Sequence, residues 1–142
     1  MSHGTSCFNW EQYISLAEKI LDSDDISSLK EAAQRAAISR AYYGAYCLAR
    51  NLAINNNWVT NSTDKNMHSK VINFYINSTE KIKRDIGTNL RRLRKDRNDV
   101  DYEDYCPKAN EKYSKKCIEI AKIIKNNIIE LEKLINNTGT TA

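Results

Sequence analysis

A chain of 142 residues, 16.3 kDa in mass and with a formal net charge of +4, is long enough for one domain with its own core and too short for two ordinary ones. Its hydrophobic fraction of 41% and charged fraction of 28% are those of a soluble globular chain, and its apolar runs are only a few residues long, which excludes a spanning helix. One proline and four glycines leave little punctuation for a many-stranded sheet, so helices are expected, and an N-terminus without a basic head and apolar stretch sets the expectation of a cytoplasmic protein.

The residues before the first helix, 1–6, are expected to be flexible, with His3 in a mobile end. The first helix is expected at about residues 8–21, where Trp10, Tyr13, Ile14, Ala17, Ile20 and Leu21 share one broad face. The acidic string DSDDISS then supplies a turn and a helix cap. The second and longest helix, about 28–55, carries alanine or glycine at many positions, which permits close approach of neighbours, with Tyr42, Tyr43 and Tyr46 as wedges. An Asn-rich connection leads to a short third helix at 67–76, with Val71, Ile72, Tyr75 and Ile76 on its apolar side. The fourth is expected at about 80–101 and the fifth at about 109–136, where Tyr113, Cys117, Ala121, Ile124, Ile128, Leu131 and Ile135 recur at helical spacing before a flexible tail at 137–142. No strand pattern competes, so the expected fold is an all-α bundle of four to five helices, up-and-down, forming a single domain over 1–142.

Cys7, Cys47, Cys106 and Cys117 contain no CxxC pair and the two histidines stand far from them, so neither a zinc site nor a cofactor is expected. Cys47 reads as a small core residue. The fourth helix holds the most informative position. Ile86, Leu90, Leu93 and Val100 fall at steps of four, three and seven, and Arg97 splits the seven. At about 100° per residue the five side chains lie within roughly 40° of one line, which points the guanidinium along the core stripe. A charge placed there is either paired, for instance with Asp101 one turn on, or lines a cleft as an anion-binding arginine at an interface. Adjacent Tyr42 and Tyr43 diverge by about 100° and so meet two surfaces, either a dimer interface or two neighbours of a central helix. The basic run containing Arg84, Arg91, Arg92, Arg94 and Arg97 suits an RNA backbone or an acidic protein. The run of Asp96, Asp99, Asp101, Glu103 and Asp104 that follows is expected to compensate much of that field, and no aromatic interrupts the arginines within the helix.

The strings AAISRAYYGAYCLARNLA, MHSKVINFY and LRRLRKDRNDVDYED, in this order and followed by an isoleucine-rich amphipathic helix, resemble the HEPN domain family over about residues 8–134. The resemblance implies a helical bundle that dimerises, here through helices 2 and 4, and that serves as an RNase toxin or as the partner of a small nucleotidyltransferase. Active members share an Arg-polar-x3-5-His motif. Arg97 matches its arginine and Asn98 its polar residue, but the histidine is missing, and Tyr102 completes an RNDVDY string similar to the tyrosine-bearing branch of the family. The resemblance thus implies a dimeric RNA- or partner-binding module of a toxin–antitoxin or defence-type system. The alternative is a metal-independent endoribonuclease with Arg97 on the scissile phosphate, Asn98 orienting it and Tyr102 as hydroxyl donor, a weak acid for such chemistry. Arg40, Arg91 and Arg94 are candidates for further phosphate contacts, and Asp101, His68 and Tyr43 for accessory roles. A pocket between helices 2 and 4, lined by Arg40, Tyr43 and Arg97, would instead suit a small molecule.

Overall fold

A computed structural model describes residues 8–23 and 28–139, which form five helices packed together: α1 (Glu11–Asp22), α2 (Lys30–Asn55), α3 (Met67–Ile76), α4 (Lys81–Tyr102) and α5 (Glu111–Gly139). The expected class is the observed one. α3 lies where it is expected and the other boundaries agree to within three residues: α1 begins at Glu11 because Asn9 turns the chain, its Oδ1 accepting from the Glu11 amide at 3.1 Å, and α5 continues to Gly139, into the expected tail. The expectations for 1–6, His3 and Cys7, for residues 24–27 of the DSDDISS cap and for the tail at 140–142 lie outside the described residues.

The bundle is organised around α2. Ala37, Ala41, Ala45, Ala49 and Ala53 repeat at every fourth position and are all fully buried, forming a ridge so low that α1, α4 and α5 all pack against this one helix. Gly44 carries the principle further. A Cβ there would stand 2.9 Å from Ile14 Cγ1, 3.0 Å from the Trp10 carbonyl and 3.1 Å from Tyr13 Cβ, so α1 lies directly on the α2 backbone. Opposite, α5 contributes Cys117, Ala121, Ile124, Ile128 and Leu131, and α4 contributes Ile86, Leu90, Leu93 and Val100. The short α3 is held mainly by α4, and the buried Tyr75 hydroxyl donates to the Ala49 carbonyl of α2 at 2.7 Å. Cys47, Cys106 and Cys117 are free and buried, and no helix among the described residues is long and apolar enough to cross a membrane.

Two polar nodes fix the end of α4. Arg35 of α2 donates to the carbonyls of Val100 and Glu103, both at 2.7 Å, and of Asp104 at 2.9 Å, satisfying acceptors that the last turn leaves open. Asp96, buried to 2% exposure, accepts from Lys108 Nζ at 2.8 Å and from the Tyr113 hydroxyl at 3.0 Å, and Cys117 Sγ lies 3.6 Å away. Against the desolvation that opposes its charge, Lys108 is held well above the usual lysine range by Asp96 and Asp99. Burial, reinforced by the Asp96 carboxylate, pushes the Cys117 thiol up to about 12, so it stays protonated.

Gly87 sets the spacing of α3 and α4: an added Cβ would lie 2.5 Å from the Ile76 amide nitrogen and 2.9 Å from the Tyr75 carbonyl carbon, both backbone atoms. Gly87→Ala should therefore cost about 1–3 kcal/mol despite the higher helix propensity of alanine. Urea unfolding followed by circular dichroism should show a lower midpoint at an unchanged slope; a midpoint at or above that of the parent would mean that α3 packs less closely.

Candidate functional site

The helical spacing that places Arg97 among core residues leaves it 7% exposed. Its guanidinium carbon lies 5.3 Å from the centroid of the Tyr42 ring and 5.0 Å from that of Tyr43. The two tyrosines thus flank one cation, and their divergence needs no second copy of the chain to account for it. Asp101 is the only carboxylate within ion-pair range of Arg97 among the described residues, at 3.9 Å from Nη1, beyond hydrogen-bond distance. That carboxylate accepts instead from the Ser39 hydroxyl at 3.3 Å. Arg97 Nε is buried without a partner. Of the two arrangements open to a buried arginine, a close ion pair is absent and a cation on aromatic faces with unused donors is present.

One turn earlier on α4, Arg94 Nη1 donates to the Ser69 hydroxyl of α3 at 3.0 Å, and its Nε is again buried without a partner. Beside Ser69, His68 stacks on Tyr46 with centroids 3.9 Å apart and planes 7° from parallel. Its Nδ1 lies 2.6 Å from the Tyr42 hydroxyl. Burial raises the Tyr42 phenol beyond its usual range, so with the imidazole proton on Nε2 the phenol donates to Nδ1. Burial, together with the positive charges of Arg94, Arg97 and Arg50, lowers His68 to about 4. The site therefore combines guanidinium groups from two helices with an imidazole that is neutral at pH 7. Such a set binds an anion through charge-assisted hydrogen bonds, and a bound anion would in turn favour a proton on His68.

Of the residues singled out from sequence, the fold brings Arg97, Arg94, Tyr43, His68 and Asp101 together. Arg40 of α2 lies against α1, its guanidinium carbon 5.1 Å from the centroid of the Tyr13 ring. Arg91 and Asn98 are exposed on α4. Tyr102 is 72% exposed at the last residue of that helix, and five helical steps turn it about 140° from Arg97, so the two do not converge within one copy.

The acidic run does not neutralise the arginines as the linear sequence suggested. Asp96 and Asp99 are engaged by Lys108, at 2.8 and 2.7 Å, and the side chains of Glu103 and Asp104 form no ion pair among the described residues. Sequence reasoning missed Ser39, Arg50, Ser69 and the structural carboxylate Asp96. The signal for the α2 members was present: Ser39, Tyr43, Tyr46 and Arg50 fall at steps of four, three and four, a polar and aromatic stripe on an otherwise alanine-rich helix. Among the described residues no group of three or more His, Cys, Asp or Glu side chains is placed to hold a metal ion. Protein-family models, curated proteins and solved structures yield no match to this chain.

Because His68 titrates near 6.5 in an unfolded chain and near 4 here, the unfolded state takes up its proton first as pH falls, and stability is lost between those values. His68→Asn, which keeps an acceptor for Tyr42, should lose less stability than the parent between pH 7 and pH 5 in urea unfolding. The imidazole resonances of His68 should show no titration above pH 5; a midpoint near 6.5 would mean that the arginine cluster does not act on this ring.

Proposed function

We propose that this chain is a HEPN-type helical module of a toxin–antitoxin or defence-type system, which dimerises through α2 and α4 and binds RNA at Arg94 and Arg97, with a small nucleotidyltransferase-type protein as partner. The observation that supports RNA binding is the buried Arg97 guanidinium, seated on Tyr42 and Tyr43 with its nearest carboxylate at 3.9 Å and one N–H unused. A phosphate oxygen is the complement of such a group, and a second under-used guanidinium one turn away, on Arg94, suits a chain of phosphates better than a lone anion. The family resemblance supplies the dimer, the nucleotidyltransferase and the biological setting. The exposed rings of Tyr102 and Tyr105 beyond the end of α4 offer apolar area to a second copy.

A second reading, metal-independent RNA cleavage by Arg97, Asn98 and Tyr102, is favoured by the adjacency of Arg97 and Asn98. It requires the partner copy to bring Tyr102 to Arg97, since within one copy they face apart. The binding reading leads because it needs only the groups already assembled.

The test is binding of labelled RNA by the purified protein in EDTA, read by fluorescence anisotropy and by gel for cleavage. The parent should bind and leave the RNA intact, and Arg97→Gln should weaken binding by about tenfold to hundredfold, the worth of one charge-assisted contact. Failure of the parent to bind at low salt, or equal binding by Arg97→Gln, would overturn the reading. Cleavage that disappears in Arg97→Gln would put the endoribonuclease in its place.

A further inference from the structure

The arginines near Arg97 belong to a longer series of contacts that crosses from α4 to α1. Arg97 lies on the Tyr42 ring at 5.3 Å, and Tyr42 meets His68 through the hydroxyl contact of 2.6 Å. His68 stacks on Tyr46 at 3.9 Å, and the Arg50 guanidinium carbon stands 6.0 Å from the Tyr46 centroid and 5.7 Å from that of Trp10. Trp10 then meets Tyr13 edge-on at 5.1 Å, and Arg40 lies over Tyr13 at 5.1 Å. Arginines stand at both ends and in the middle of the path, separated by runs of three and two rings. Phe8, 46% exposed and 4.8 Å from Trp10 between centroids, extends it at the α1 end. Along α2 alone, the ten residues from Arg40 to Arg50 cover about 15 Å.

The charges on this path are not matched by close carboxylates, although Arg50 donates from Nε and Nη2 to Asn51 Oδ1 at 3.1 and 2.9 Å. Lys81, Lys95, Lys115 and Lys122 pair with Asp85, Asp99, Glu111 and Glu18 elsewhere on the molecule. Arg40, Arg50 and Arg94 have no carboxylate within ion-pair distance among the described residues, and Arg97 has only the loose Asp101. Four guanidinium groups of α2 and α4 are thus opposed by one carboxylate, interleaved with rings of α2, α3 and the N-terminal end of α1. This interleaving is invisible within α4 itself, whose arginine run contains no aromatic.

We infer that this face binds a short single-stranded segment of RNA, with phosphates on Arg97, Arg94, Arg50 and Arg40 and unstacked bases on Trp10, Phe8 and Tyr43. The inference rests on the reading of Arg97 as a phosphate contact and adds the strandedness of the ligand and the part played by α1. Guanidinium groups alone would take a duplex equally well. Rings reward only bases that are free to leave their own stack, so the aromatic half of the face selects against a duplex. Gly44 serves this arrangement by letting the Trp10 carbonyl and Tyr13 Cβ sit against the α2 backbone, beside Arg40 and Arg50.

The chain has two tryptophans, and Trp58 stacks on Phe74 under Lys83, in contact with none of the four arginines. In Trp58→Phe, Trp10 is the sole indole reporter, and a 12-nucleotide single-stranded RNA should quench it; in Trp10→Phe, the same RNA should leave the Trp58 emission unchanged. Anisotropy titrations should show the duplex of the same sequence binding at least about tenfold more weakly, the worth of one stacked base. The single strand should follow log K against log salt with a slope of about −2.8 for four phosphate contacts, and Arg50→Gln should make it shallower by about 0.7. Equal affinity for both forms without Trp10 quenching, while Arg97 still matters, would overturn this inference and leave the proposed function standing. Binding of neither form would overturn both. Quenching or shielding of Trp10 that follows protein concentration instead of RNA would assign the face to a second copy and overturn the inference.

Discussion

A guanidinium that reaches the interior of a helical bundle without a close carboxylate imposes a demand on everything around it. Removing such a charge from water costs several kcal/mol even after relaxation, and each ring face returns about 1–2 kcal/mol when desolvated. Arg97 has two such faces, Tyr42 and Tyr43, and a carboxylate 3.9 Å away that is already accepting from Ser39. The remaining deficit is carried by the rest of the fold. The alanine ridge of α2 allows α4 to approach closely enough for Arg97 to lie on the tyrosines of α2. The Arg35 contacts and the Asp96 node then hold the end of α4 so that the side chain cannot swing out.

This arrangement explains why the acidic run after the arginines does not cancel them. Asp96 is held by a lysine at 2.8 Å and a phenol at 3.0 Å and forms no ion pair with Arg94 or Arg97, so it belongs to the joint between α4 and α5. With Asp99 drawn to the same lysine, the face toward α2 and α3 keeps its positive potential. Burial, reinforced by this potential, holds His68 neutral, and an anion bound there would relax the electrostatic part of that constraint. Anion affinity and imidazole protonation are consequently linked in sign: each favours the other.

The fold was legible because its helices are long and strongly periodic; α3 was placed to the residue, and the others to within three. Arg97 was legible for the same reason, since a charge inside an apolar stripe stands out against the periodicity. Its surroundings were not. Which face of α2 meets α4 and which meets α1 depends on tertiary packing, so Arg40 was assigned toward Arg97 when it lies on Tyr13, while Arg50, one stripe over, went unnoticed. Asp96 read as one member of a charge run because its partners Lys108, Tyr113 and Cys117 come from the next connection and helix. The α2 stripe carries part of the arginine and aromatic set, and the rest comes from α4, α3 and the start of α1, which only the fold brings beside it.

The central claim is that Arg97 is retained for a ligand and not for the stability of the bundle. Urea unfolding of Arg97→Met beside the parent, with and without added RNA, tests it most directly, because methionine fills similar space and removes the uncompensated charge. The variant should be at least as stable as the parent without RNA, and only the parent should gain stability when RNA is added. A variant destabilised by several kcal/mol without RNA would contradict it and make Arg97 a structural residue of the α2–α4 contact.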